Sequence, residues 1–196
     1  MLPLFPINIS ILPQEILPLH IFENRYKKMI SESISSKQPF GIVYKDNGQI
    51  SNIGCTVCVH QIINQYKDGK YDILVKGQYR FKIIESFKKE NLWYGQIKMI
   101  DEKYDYMDKK IFSQILDKYL QVLLSYNVNH NIQNEINKTK SFDFTKDVVI
   151  PTALKQEFLE LEDEFQRMVF IDQFLDSVIN NSNQIKKLNF KDKILN

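Results

Sequence analysis

Cys55 and Cys58, with His60 two residues further on, come nearest in this sequence to a reactive constellation. A C-x-x-C pair chelates zinc or cycles between thiol and disulfide when a turn or helix start brings both sulfurs to one side. Here the pair lies in a run rich in β-branched residues, and strand residues three apart point to opposite faces. Cys58 and His60 share a face, but a structural zinc site takes four ligands and the chain has only two cysteines. Packing cysteines are expected, with no metal site. His20 and Glu23 are close enough for general acid–base work. Their neighbours lack nucleophile–base spacing, so a structural reading is preferred: His20 packs or hydrogen-bonds, while Glu23 and Arg25 pair with each other or with backbone at a strand-to-helix junction. His60 and His130 show no partner pattern.

Phosphate chemistry fares no better. Gly69-Lys70 is followed by Tyr71, and Asn64 stands where the first glycine of a phosphate-binding loop belongs. Neither a G-x-S-x-G elbow nor an H-E-x-x-H helix occurs. No catalytic residue and no cofactor are expected. Arg80 and Lys82, with Lys76 and Lys98 and the aromatics Tyr79, Trp93 and Tyr94, could form a basic strand face for RNA. Basic residues alternating with apolar ones are more often the solvated side of a strand, and Asp72, Glu85 and Glu90 dilute the patch. Twenty-six basic against 24 acidic residues leave a net charge of +2, which argues against wholesale nucleic-acid binding.

The elements that must position these residues fall into two halves. Leu2–Ile7 and Ile16–Ile21 are short apolar runs set apart by prolines, as expected of strands. Tyr26, Met29, Ile30 and Ser33 recur at helical spacing. Strand signals return at Phe40–Tyr44, Cys55–Ile63, Gln61–Tyr66, Tyr71–Val75, Tyr79–Ile84 and Trp93–Ile100, with turns at Asp46-Asn47-Gly48 and Asp68-Gly69. In the 79–84 run, Tyr79, Phe81 and Ile83 are expected on one face and Arg80, Lys82 and Ile84 on the other. Many short strands at this interval predict a mostly antiparallel barrel over residues 1–103. From 104 to 196 the period becomes helical. Ile111, Ile115, Leu116, Tyr119, Leu120, Leu123 and Leu124 mark one helix, and Leu154, Phe158 and Leu161 another after Pro151. Asp163 is placed to cap a third, carrying Met168, Ile171, Phe174, Leu175 and Val178. A polar loop near 127–146 lies between them. The fold class is α+β, a barrel followed by helices. With 43% apolar and 12% aromatic residues the chain can fill a core. It has no signal-peptide pattern and no apolar run of the roughly 20 residues a membrane span needs, so a cytoplasmic protein with no membrane contact is expected.

Three blocks carry a family likeness. Leu2-Pro3-Leu4-Phe5-Pro6 followed by Leu17-Pro18-Leu19-His20-Ile21-Phe22-Glu23-Asn24-Arg25-Tyr26 resembles the start of the substrate-binding domain of Lon proteases, with Asn24 where many members have proline. Gly77-Gln78-Tyr79-Arg80-Phe81-Lys82-Ile83 is similar to the family's glycine-x-x-arginine strand. Leu154-Lys155-Gln156-Glu157-Phe158-Leu159-Glu160, with Arg167-Met168 beyond, resembles its later helices. The resemblance implies a PUA-like barrel plus a helical bundle and recognition of unfolded or exposed polypeptide segments, with a protease as a further partner. It implies no ATPase or Ser-Lys peptidase in this stretch, so not an enzyme. Leu4, Phe5, Tyr26 and Met29 are the candidate contacts for polypeptide, each with a core role as its alternative. His20, Phe22, Glu23 and Arg25 are signature residues with a structural role. The alternative function is an RNA-binding module using Arg80 and Lys82. Oligomeric state is left open.

Overall fold

A computed structural model describes residues 1–104, 107–126, 135–146, 148 and 150–194, the side chains from 182 onward excepted. It comprises two compact units, Met1–Asp101 with Thr145–Glu160, and Glu102–Phe144 with Leu161–Asn196. The expected boundary at 103/104 falls at 101/102, and residues 145–160 return to the strand-rich unit. Of the expected polar loop, 127–134 fall outside the described residues, and Ser141–Phe144 in the remainder is a short helix.

The first unit is built from β1 (Leu2–Ile7), β2 (Ile16–Ile21), α1 (Asn24–Ser36), β3 (Phe40–Asp46), β4 (Gln49–Gln65), β5 (Tyr71–Lys89), β6 (Leu92–Met99) and a returning helix, Thr152–Glu160. The strands form one sheet in the order β2-β5-β4-β3-β1-β6, and a further β5–β6 pairing closes it into a barrel. Among the described strands only β1–β3 is parallel; the other pairings are antiparallel. Tight turns set the register. Asn47 and Gly48 both take positive φ, 47° and 85°, as does the pair Glu90-Asn91, 49° and 64°. Two left-handed residues in a two-residue loop give the turn whose twist matches that of the flanking strands.

Two runs expected as separate strands, Cys55–Ile63 and Gln61–Tyr66, are one strand, β4. Likewise, 71–75 and 79–84 merge into the 19-residue β5. β5 is long because it changes partners along one edge. Tyr71–Lys76 pairs with β2, and Phe81–Lys89 pairs with β6. Between these stretches Gly77 lies under the 12–15 loop: its N–H donates to Glu15 O and its carbonyl accepts from Gln14 N, both at 2.9 Å. A Cβ on Gly77 would stand 2.1 Å from the Leu12 carbonyl oxygen, so no other residue fits without moving the loop.

Just beyond, the β4–β5 register slips between Cys55↔Arg80 and Val57↔Gly77. The Thr56 hydroxyl accepts from Tyr79 N–H and donates to Tyr79 O, both at 3.2 Å, filling the gap in the ladder. Such a bulge breaks the period-2 alternation. The two-face pattern expected for 79–84 holds from Phe81 onward, with Phe81 and Ile83 in one cluster and Lys82 and Ile84 exposed, but fails at its start, where Tyr79 is exposed and Arg80 buried.

The core of this unit holds Phe5, Ile11, Ile21, Phe40, Ile42, Val57, Ile73 and Val75 with the α1 residues Tyr26, Met29 and Ile30. A second cluster gathers Leu2, Leu4, Val43 and Phe81. The α1 face predicted from spacing is the buried one: Tyr26, Met29, Ile30 and Ser33.

The second unit contains α2 (Lys109–Ser125), α3 (Ser141–Phe144) and α5 (Glu164–Ile194); the helix Thr152–Glu160 of the first unit is α4. Asp108 caps α2 by accepting from the N–H groups of Lys110 and Ile111, and Asp163 accepts from Gln166 N–H at 2.8 Å, as expected of an N-cap. A buried charge cluster ties the pieces together. Arg167, fully buried, lies 3.0 Å from both Glu102 and Glu164 and donates to Leu161 O. Glu164 in turn accepts from Ser141 N–H and Oγ at 2.6 and 2.7 Å. Nearby, Tyr119 donates to Glu135, which pairs with Lys138 at 2.9 Å.

Two consequences are measurable by urea unfolding. Gly77→Ala forces a methyl into the Leu12 backbone and should lower stability by about 1–3 kcal/mol, the cost of overpacking a filled site. Arg167→Ala leaves the buried Glu164 and the partly buried Glu102 without their shared cation and should cost about 3–5 kcal/mol, the loss seen when one partner leaves a buried ion cluster. A change within 0.5 kcal/mol for either would contradict the packing described.

Candidate functional site

The signature block crosses the junction from β2 to α1, where its residues part company. Leu4, Phe5, Tyr26 and Met29, the expected polypeptide contacts, are 0–6% exposed, and all four lie in the core clusters. They cannot meet a partner in the folded state; their alternative, packing, is the one realised. Phe5 and Tyr26 meet edge to face at 4.3 Å, and burial is the main reason the Tyr26 phenol titrates above its ordinary range. Arg25 lies beside Glu23 at 2.6 Å, with its guanidinium 4.6 Å from the Tyr26 ring centre and one N–H aimed at Asn91 O. Glu23 and Arg25 therefore join the start of α1 to the β5–β6 turn.

His20 and Phe22 point outward. Pairing of β2 with β5 sets His20 opposite Asp72, and the β4–β5 hairpin brings Tyr66 to the same carboxylate. His20 Nδ1 donates to Asp72 Oδ1 and Tyr66 OH donates to Asp72 Oδ2, each at 2.6 Å. The Phe22 ring stacks on His20 at 5.9 Å, and Tyr66 meets His20 edge-on at 6.2 Å. The bond from Tyr66, followed by that from His20, holds the Asp72 carboxyl below its ordinary range. The same bond to Asp72 is the chief reason the Tyr66 phenol is pushed up. Phe22 remains 58% exposed and Tyr66 40%. The result is an aromatic platform at the ends of β2 and β4, open to solvent, with His20 and Tyr66 tied to one carboxylate and Phe22 stacked on His20. Ile63, also exposed, lies on β4 next to Asn64, the register partner of Asp72.

A histidine hydrogen-bonded to a carboxylate is half of a catalytic triad. Among the described residues no hydroxyl or thiol nucleophile bonds to His20, whose single side-chain bond is to Asp72. Cys55 is buried and Cys58 half-buried, both as free thiols. Among the described residues no group of three His, Cys, Asp or Glu side chains could hold a metal ion. Nor is any described helix long and apolar enough to cross a membrane.

The basic face expected for RNA is not assembled as envisaged. Arg80 is 1% exposed and donates to Leu159 O at 2.6 Å, at the C-terminal end of α4. A cation there faces the negative end of the helix dipole. Lys82 is exposed and sits opposite Lys98 across β5–β6, but the arginine that was to act beside it is part of the interior.

In the third signature block, Gln156, Phe158 and Leu159 face inward while Glu157 and Glu160 stay exposed. Lys155 pairs with Glu15. The buried Gln156 accepts from Ser10 Oγ at 2.7 Å and donates to Ser51 Oγ at 2.8 Å. Tyr66 and Asp72, by contrast, were missed by sequence reasoning. The readable signal was the Asp68-Gly69 turn, which makes the flanking residues neighbours.

The fold recurs in solved structures. A Lon N-terminal domain protein from Xanthomonas campestris superposes with a TM-score of 0.67 at 19% identity, covering 89% of this chain and 96% of that one. The N-terminal domain of Mycobacterium avium complex Lon protease gives 0.70 at 14% identity, covering 89% and 97%. Comparison with curated protein sequences gives no match. At the level of sequence families, residues 1–177 match the model of the ATP-dependent protease La (LON) substrate-binding domain. A match of that length, carried by a six-stranded sheet and C-terminal helices of the same fold, places the chain in the LON substrate-binding domain family.

Proposed function

We propose that this protein is a non-catalytic recognition module that binds unfolded or exposed polypeptide segments, working in the cytoplasm alongside a protease that it supplies with substrate. The observation that carries this reading is the platform of Phe22, His20 and Tyr66. The His20 and Tyr66 rings are held by Asp72 and Phe22 stacks on His20; large rings lose little freedom on binding and bury much area, which is why aromatic side chains dominate protein contact sites. The interaction is apolar, at about 25 cal/mol per Å² of surface removed from water. It is therefore tolerant of sequence and weakly sensitive to salt, as a receptor for many unfolded chains requires.

Substituting Phe22→Ala together with Tyr66→Ala should weaken binding of a labelled unfolded polypeptide about tenfold or more, consistent with loss of one or two contact hot spots. The thermal midpoint should barely move, since both rings face solvent. Fluorescence anisotropy at low and high salt reads the first, calorimetry the second. Unchanged affinity would remove the platform from the binding face. Steep salt dependence, with a preference for single-stranded RNA, would move the function to the other candidate class.

The platform is also sensitive to acid. Asp72 has a lowered folded-state pKa. Its stabilising contribution is therefore present above the ordinary aspartate value of about 4 and lost as pH falls through the lower native value. Tyr66 moves the other way at the alkaline end. Asp72→Ala should bring the Tyr66 phenol down toward its usual titration range, which tyrosine-selective NMR reads directly. A Tyr66 titration that ignores the substitution would show that the hydrogen bond does not persist in solution.

A further inference from the structure

Strand β4 is longer than the neighbour that covers it. β3 pairs with β4 only as far as Phe40↔Val57. The next residue back is Pro39, which has no N–H to offer the ladder and follows the end of α1 at Lys37. β4 nevertheless continues to Gln65, paired on its other side with β5. Among the described residues no strand pairs with this edge beyond Val57. The sheet's second open edge, on β2, carries Pro18, which blunts it.

Between the open β4 edge and the last turn of α1 runs a groove of about 510 Å³. Ile34 and Val59, both packed on the core, and the exposed Ile62 supply its apolar surface. Its charged or titratable walls are Lys37, His60 and the free thiol of Cys58, and no carboxylate lines it. Lys37 makes no ion pair among the described residues. A strand edge facing a helix across an apolar trough is a geometry that accepts an extended peptide as an added strand: the main chain supplies hydrogen bonds and alternate side chains enter the trough.

We propose that this groove takes a short extended polypeptide segment as an added strand on β4, with an apolar side chain against Ile34, Val59 and Ile62 and an acidic residue at Lys37. The inference rests on the polypeptide-recognition reading above and names the kind of segment recognised. Register slips place extra residues at His60 and Ile63 of β4. Bulges of this kind keep an open edge from templating a long sheet, so the added strand spans only a few residues and is released readily.

The test uses the full chain and a labelled, proline-free peptide rich in β-branched residues with one glutamate. A second peptide carries N-methyl groups on alternate backbone amides, and a third has lysine in place of the glutamate. Wild type should bind the first peptide, and N-methylation should weaken it about tenfold by removing main-chain hydrogen bonds. Lys37→Glu, on the exposed C-terminal cap of α1, should weaken the glutamate peptide about fivefold and favour the lysine peptide by a similar factor. NMR shift changes should centre on residues 58–62. If an unfolded polypeptide binds but neither N-methylation nor Lys37→Glu alters peptide affinity, the strand-addition site is overturned while polypeptide recognition stands. If neither the unfolded polypeptide nor the peptides bind, both readings fall.

Discussion

Arg80 sits where three demands meet. It follows the point at which β5 leaves β2 and takes β6 as its neighbour, it lies at a register slip against β4, and its guanidinium donates to the last turn of α4. A buried arginine is tolerable only when its donors are met. Here α4 meets one of them with a backbone carbonyl at the negative end of its dipole. The same helix is held by Lys155 against Glu15 and by Gln156 between Ser10 and Ser51. These contacts explain why residues 145–160 belong with strands that precede them by more than forty positions. Gly77 is the complementary constraint: the 12–15 loop rests on it, and that loop supplies Glu15.

This arrangement bears on function by subtraction. Most of the residues that give the chain its family likeness are occupied in holding it together. Leu4, Phe5 and Tyr26 fill the core, Glu23 and Arg25 lock the α1 junction, and Gly77, Arg80, Lys155 and Gln156 seat α4. Arg167 does the same for the second unit. The recognition proposed above draws instead on side chains that the core does not use. Phe22, inside the signature yet exposed, and Tyr66, outside it, meet that condition.

Local periodicity was readable wherever one face is buried and the ladder is regular. The limits of β1 and β2, the buried face of α1 and the Asp163 cap follow from alternation, spacing and capping chemistry alone. Bulges hid the rest. Arg80 reads as a solvated cation and Tyr79 as its buried neighbour, the reverse of what forms, because the sequence-distant α4 meets Arg80 while the slip between Gly77 and Arg80 leaves Tyr79 exposed. The burial of Arg167 was equally hidden, because Glu102 is a distant partner and no local pattern announces it. For the site, apolar type was a poor guide. Leu4 and Met29 were attractive because they are hydrophobic and near the signature, yet those properties suit the core as well as a binding face. What separates the two is geometry across the β4–β5 hairpin, which makes Asp72 the common partner of His20 and Tyr66.

The two open features of the first unit have a common origin in β4 and β5 outrunning the barrel. Where those strands extend past β3, they form with β2 a three-stranded flap whose inner side is covered by α1. The flap's outer side carries the His20–Asp72 pair beside Phe22 and Tyr66, and one margin is the unpaired edge of β4. An open edge offers hydrogen bonds to any main chain, and exposed rings offer area to any apolar side chain. Neither reads sequence closely. A folded protein has both kinds of group already satisfied, whereas an unfolded one presents them along its length. Discrimination between folded and unfolded chains would then need no pocket shaped to one residue; it would follow from which chains still have main-chain groups and apolar side chains to give.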